Sequence, residues 1–180
     1  DLRAYTDAAR AQQLTPIYDL VLRHVAVDNP LVKQKPHWFK RHTNGNFVFF
    51  GRDEHYNTTG QSWDDVLEFN YDDPTTRREI IGGYVKPMID LVVGKLGFEG
   101  FRIDAAGKIP KAAYEEIIPY ADAVCREHFQ KPVTVIGETL GQNVDEFTHL
   151  DGHVDYVYNS VYFQPFTREY WDQDETWVSH

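Results

Sequence analysis

Two short segments of this 180-residue chain end on acidic residues placed where they could do chemistry. In "GFEGFRIDAAGKIP" (97–110) a strand-like run carries Arg102 and Asp104, and "PVTVIGE" (132–138) ends on Glu138. Strand side chains alternate between faces, so Arg102 and Asp104 share one face and Phe101 and Ile103 the other. Glu138 likewise lies on the face of Thr134 and Ile136. A guanidinium beside Asp104 would keep it ionised, as a nucleophile must be. A nearby anion and an apolar wall would leave Glu138 protonated and ready to donate. Two carboxyl groups about 5–5.5 Å apart, one attacking and one donating, are the geometry of a retaining glycosidase.

Other residues fall near this pair. "YDLVLRH" (18–24) supplies Asp19, which either holds a loop or touches substrate, and His24, placed to bond a sugar hydroxyl. Lys108, four residues after Asp104, reads equally as a substrate contact or as a first-turn helix lysine. The candidates are therefore Asp104 and Glu138 as catalytic acids, with Arg102, His24, Asp19 and Lys108 binding substrate. Arg23 has no role in this reading. His37, His42 and His55 match no ligand spacing and are read as surface residues, so no metal and no cofactor is called for. Trp38, Phe47, Phe49, Phe50 and Tyr56 read equally as a sugar-stacking wall and as a small core of their own.

Positioning these groups requires particular elements. "DLRAYTDAARAQQL" spaces Leu2, Tyr5, Ala8 and Ala9 as one stripe of a helix, and "PIYDLVLRH" (16–24) reads as one apolar strand. Residues 25–74 form a long irregular insert rich in His, Asn, Gly and aromatics, too aromatic for disorder. "PTTRREIIGGYVKPMIDLVVGKLG" (74–97) is helical in two pieces, weakened at Gly82-Gly83 and Pro87 and capped by Gly97. Strand 100–104 follows. The helix over 110–129 buries Ala113, Ile117, Tyr120/Ala121 and Val124, with Cys125 as packing and a bend at Pro119. Strands at 132–138 and 153–160 complete the order. Strands alternating with helices predict a parallel sheet of the α/β class with helical crossovers. In such barrels the carboxyl ends of the strands build the active site.

Composition narrows the partners. Hydrophobic residues make up 42% and aromatics 14%, enough for a packed interior. The net charge of −10 and the lack of a basic run disfavour nucleic acid and anionic membranes, and a neutral substrate is easier to accommodate. No apolar run approaches a membrane span and no leader is readable. The single Cys125 fits a reducing compartment, so a cytoplasmic location is expected. An oligomer is left open.

The sequence resembles the α-amylase family of glycoside hydrolases in four segments. "DLVLRH" (19–24) is similar to Asp-x-x-x-Asn-His, with Arg23 where Asn is usual, and "LEFNYDDPTTRREI" (67–80) to Leu-x-x-Asn-x-x-x-Pro-x-x-Arg. "GFRIDAAGKIP" (100–110) resembles the family's nucleophile strand and "VIGETLG" (135–141) its acid/base strand. Within the family, "FRIDAAGKIP", "GETLG" and "DYVYNS" look most like the α-1,4-glucan maltosyltransferases that use α-maltose 1-phosphate. The resemblance implies part of a (β/α)8 TIM barrel, about strands three to six, with residues 1–180 as a partial catalytic domain and 25–74 as a loop insert after the third strand. It implies Asp104 as nucleophile, Glu138 as acid/base, and an α-glucan or malto-oligosaccharide as partner. The activity implied is maltosyl transfer with retention. The alternatives are an amylase-type hydrolase or a non-catalytic barrel relative, because the family's third acid, in a His-Asp pair, is not found after residue 160. The chain looks cut at both ends, and no acidic loop calls for the calcium site common in that family.

Overall fold

The computed structural model describes residues 1–52, 55, 57–139 and 150–158. Helix α1 (Leu2–Ala11) leads into strand β1 (Ile17–Leu20), and strand β2 (His24–Ala26) follows almost at once. Helix α2 (Pro30–Gln34), strand β3 (Phe49–Arg52) and strand β4 (Thr58–Glu68) complete the insert. Helix α3 (Pro74–Ile80) continues through a wide turn at Ile81–Val85 into helix α4 (Lys86–Ile89) and a second wide turn at Asp90–Lys95. Strand β5 (Gly100–Ile103), helix α5 (Lys111–Phe129), strand β6 (Thr134–Gly137) and strand β7 (Tyr156–Val157) finish the described chain.

These strands form two sheets. One runs in the order β1-β5-β6-β7, all pairs parallel, as an open arc among the described residues. The other is antiparallel in the order β2-β4-β3. The alternation rule holds in the parallel sheet. Phe101 and Ile103 are buried beneath the helices, while Arg102 lies half-buried on the opposite face. Gly100 is required by close approach, since a Cβ there would sit 2.4 Å from the Thr134 carbonyl oxygen and 2.5 Å from Ile17 Cδ1.

Helix α5 buries Ala113, Tyr114, Ile117, Ala121 and Cys125, so the expected stripe gains Tyr114 and ends on Cys125, while Val124 is only half-buried. Burial pushes the Cys125 thiol up to about 12, which fits packing rather than chemistry. The stretch from Pro74 to Lys95 is helical throughout instead of in two pieces. Pro87 has no N–H to offer the Gly83 carbonyl, and the wide turns absorb the mismatch without ending the helix. Gly97 caps it at φ +79°, its N–H donating to the Val93 carbonyl at 3.1 Å.

Three expectations are corrected. The apolar stripe of α1 is not its docking face: Leu2 and Tyr5 are exposed and Thr6 is the buried residue. The turn that α1 packs on offers carbonyls, so polar groups meet it. Thr6 Oγ1 donates to the Leu96 carbonyl at 2.7 Å and Arg10 Nη2 to that of Gly97 at 3.0 Å. The apolar run 16–24 is not one strand, because β1 ends at Leu20 and His24 already belongs to the second sheet. Nor is the insert irregular, since β4 alone spans 11 residues. Of the strand expected at 153–160, Tyr156–Val157 is formed, and residues 159 and 160 lie outside the described residues.

The insert's aromatics build a core. Trp38, Phe39 and Phe69 are buried, with Phe39 stacked on Phe69 at 5.2 Å, and Phe47 packs edge-on against Phe39. Trp38 Nε1 donates to Glu79 Oε2 at 3.0 Å, and the indole fills the gap above Gly83. Trp38, Phe47 and Phe49 therefore take the core reading, while the side chains of Phe50 and Tyr56 lie outside the described residues. Among the described residues, no helix is long and apolar enough to cross a membrane.

Candidate active site

The parallel register assembles the site row by row. Asp19 in β1 stands opposite Arg102 in β5, which stands opposite Ile136 in β6. Beyond the last paired residues the backbone ladder continues. The Asp104 N–H donates to the Leu20 carbonyl at 3.2 Å, and the Glu138 N–H to that of Ile103 at 3.0 Å. Both acids thus stand at the carboxyl ends of adjacent strands, fixed by main-chain hydrogen bonds.

Arg102 joins them. Its Nη1 donates to Asp19 Oδ1 at 2.8 Å and to Asp104 Oδ1 at 2.9 Å, and its Nη2 lies 2.5 Å from Glu138 Oε1. Burial alone would depress this guanidinium, but hydrogen bonds to Asp19 and Tyr158 and the charge of Glu138 outweigh it. The group is held well above its ordinary range, a fixed cation among three carboxylates. The Tyr158 ring lies below it at 5.6 Å.

Glu138 is also held by the turn after β5. Ala105 is left-handed at φ +46°, a conformation costing about 1–3 kcal/mol for a residue with a Cβ. This turn aims the Ala105 N–H at Glu138 Oε2, at 3.0 Å. The Ala106 N–H meanwhile donates to the Glu138 carbonyl at 2.8 Å. The apolar wall expected beside Glu138 is therefore not what its carboxylate meets: its two oxygens face a guanidinium and a backbone N–H.

The remaining candidates are more scattered. His24, half-buried on β2, has its pKa lowered by burial, against an upward pull from Asp104, which places the two in electrostatic range. The Trp63 indole lies tilted against it at 6.1 Å. Asp19 is at the rim, its side chain 66% exposed. Lys108 is exposed on a short 3-10 turn, Ala106–Lys108, ahead of α5 and outside that helix's first turn. Arg102, Asp104, Glu138 and Asp19 are thus brought into direct contact, with His24 within electrostatic range of Asp104.

Sequence reasoning missed three contributors. Tyr158 could have been found from register: Ile136 pairs with Tyr156, which puts Tyr158 beside Glu138. Ala105 gives no signal, since alanine rarely adopts a left-handed backbone. The partner of Arg23 is Glu68, whose carboxylate bonds the Arg23 guanidinium across 45 residues of chain.

No protein-family model and no curated protein matches the chain. Solved structures do. A noncanonic maltogenic α-amylase from Thermotoga neapolitana superposes with a TM-score of 0.67 at 25% identity, covering 96% of this chain and 34% of its own. An α-amylase from Lactobacillus plantarum gives 0.65 at 18% identity, over 96% of this chain and 39% of its own. A cyclic α-maltosyl-(1→6)-maltose hydrolase from Arthrobacter globiformis gives 0.59 at 16% identity, over 88% and 34%. These neighbours are barrel enzymes of the α-amylase family, and the chain spans little more than a third of their length. Its fold is that of an arc of such a barrel, with the sheet not closed among the described residues.

Proposed function

We propose that this chain carries the nucleophile and the acid/base of a retaining enzyme acting on the α-glucosidic bonds of malto-oligosaccharides. One observation carries the reading: a single guanidinium, Arg102, holds Asp104 and Glu138 together at the carboxyl ends of neighbouring parallel strands. That is the end of the sheet where barrels place their chemistry.

In this reading Asp104 attacks the anomeric carbon while Glu138 gives a proton to the departing oxygen. Water or an acceptor hydroxyl then gives its proton back to Glu138 as the glycosyl–Asp104 bond breaks. Glu138 Oε1 is paired with Arg102 Nη2. Protonation of Glu138 for the first step weakens that pairing, and Arg102 keeps its bonds to Asp19 and Asp104. His24 bonds a sugar hydroxyl beside the nucleophile, Asp19 orients Arg102 and meets substrate at the rim, and Lys108 reaches substrate from the turn. A cytoplasmic location, on the single Cys125, completes the reading.

Hydrolysis is the first form of this activity, because the solved neighbours named above include a hydrolase and two amylases. Maltosyl transfer from α-maltose 1-phosphate is the second, favoured by the wording of residues 101–110, 137–141 and 155–160. The test supplies the intact protein with maltoheptaose alone, then with α-maltose 1-phosphate plus glucan, and follows both by proton NMR. New α-anomeric reducing ends before mutarotation support hydrolysis with retention, and phosphate release with glucan growth supports transfer. Binding of maltoheptaose with no turnover of either would leave a binding module and defeat the proposal.

A further inference from the structure

One buried charge pair takes no part in that chemistry. Arg23 is 8% exposed, and its Nη2 donates to Glu68 Oε1. Desolvating two charges costs several kcal/mol per ion, and apolar pairs of similar volume often hold a fold as well or better. Stability alone is therefore a poor reason for the pair. Its place in the fold supplies another.

Arg23 immediately precedes His24, and Glu68 is the cross-strand partner of His24 in the β2–β4 pairing. Further contacts grip the same segment. The Phe69 N–H donates to the Arg23 carbonyl at 2.9 Å, and the Tyr71 hydroxyl to that of Leu22 at 2.8 Å. Lys40 Nζ stands 3.8 Å from Glu68 Oε2 and 3.0 Å from Asp72. The chain is thus clamped between Leu20, whose carbonyl accepts from the Asp104 N–H, and His24, where the insert begins.

We propose that the Arg23–Glu68 ion pair is a positioning device that fixes His24 by pinning the inserted sheet to the end of β1. The kinetic part of this inference rests on the reading of Asp104 as nucleophile; the structural part does not.

The charges that face His24 are Asp104, Arg23, Glu68 and Asp65. Burial and the Arg23 charge lower the titration of His24, while Asp104, Glu68 and Asp65 raise it. Loss of the Glu68 charge by itself would push that titration down, whereas a freed ring gaining water would move it up. The two explanations therefore predict opposite signs.

The experiment uses the intact protein, its Glu68→Met variant and the double variant Arg23→Met/Glu68→Met. His24 is followed by NMR titration of its ring protons, assigned with His24→Gln. The expected result is an upward shift of the His24 titration in Glu68→Met. The double variant buries no lone charge, and because it also removes the downward pull of Arg23 it is read by stability and kinetics rather than by titration. There Tm should hold within a few degrees while kcat/KM on maltoheptaose falls about a hundredfold, the scale of a 1 Å misplacement. A His24 titration that falls or stays in place in Glu68→Met would overturn the proposal, as would a double variant with the parent kcat/KM. If the parent protein does not turn over glucan, the functional reading fails by itself and the titration still decides this one.

Discussion

The two sheets hold their candidate site residues by different physics. The parallel sheet places Asp19, Arg102, Asp104 and Glu138 by register alone: adjacent strands, period-two alternation, and a backbone ladder that runs on past the last paired residues. The inserted antiparallel sheet places His24 through side chains: Arg23 on Glu68, the Trp38 indole on Glu79 and over Gly83, and stacked Phe39 and Phe69. A site built across the two therefore has one wall fixed by main chain and one fixed by packing and charge. Substitutions in the first should stop chemistry or clash with backbone, while those in the second should loosen geometry.

The largest expected effect lies on the first wall. Asp104→Asn keeps the shape and removes the proposed nucleophile, so turnover of maltoheptaose should fall at least about a thousandfold with Tm little changed. Steady-state kinetics with a thermal melt checks both halves. On the second wall, Trp38→Ala empties a buried aromatic site and should cost about 3–5 kcal/mol, read from the urea midpoint. A smaller loss would mean that the insert's core does not depend on its indole anchor.

Gly100→Ala probes the first wall without touching chemistry. The added Cβ meets the Thr134 carbonyl and Ile17, neither of which is free to move far, so about 1–3 kcal/mol of stability should be lost. Equal stability would show that β1, β5 and β6 are less closely registered than described. The smallest effect is the pH dependence of His24. Its pKa is lowered in the folded protein, so the unfolded chain binds more protons just below the ordinary value of 6.5. Stability should decline there as pH falls, and His24→Gln should flatten that part of the Tm–pH curve.

The same contrast explains what the sequence made legible. Arg102 and Asp104 on one face, Phe101 and Ile103 beneath the helices, the Gly97 cap and the α5 stripe all follow from local periodicity and backbone sterics. The inserted sheet does not, because "TTGQSWDDVLE" has no clean alternation and its partners are set by distant contacts. Arg23 was unreadable for the same reason, its partner lying 45 residues away. The α1 stripe misled because apolar spacing assumes an apolar dock. Here the underlying turn presents carbonyls and the Glu99 carboxylate, which Thr6 and Arg10 meet instead.

The central claim is that Asp104 is the group that bonds to sugar. A Glu138→Gln variant given an activated α-maltosyl fluoride needs no acid for the first step but lacks the base for the second, so the intermediate should accumulate. The account predicts an intact-mass increase of one maltosyl unit, mapped by peptide sequencing to Asp104. An adduct on another residue, or α-maltosyl fluoride consumed with inversion and no adduct, would contradict it.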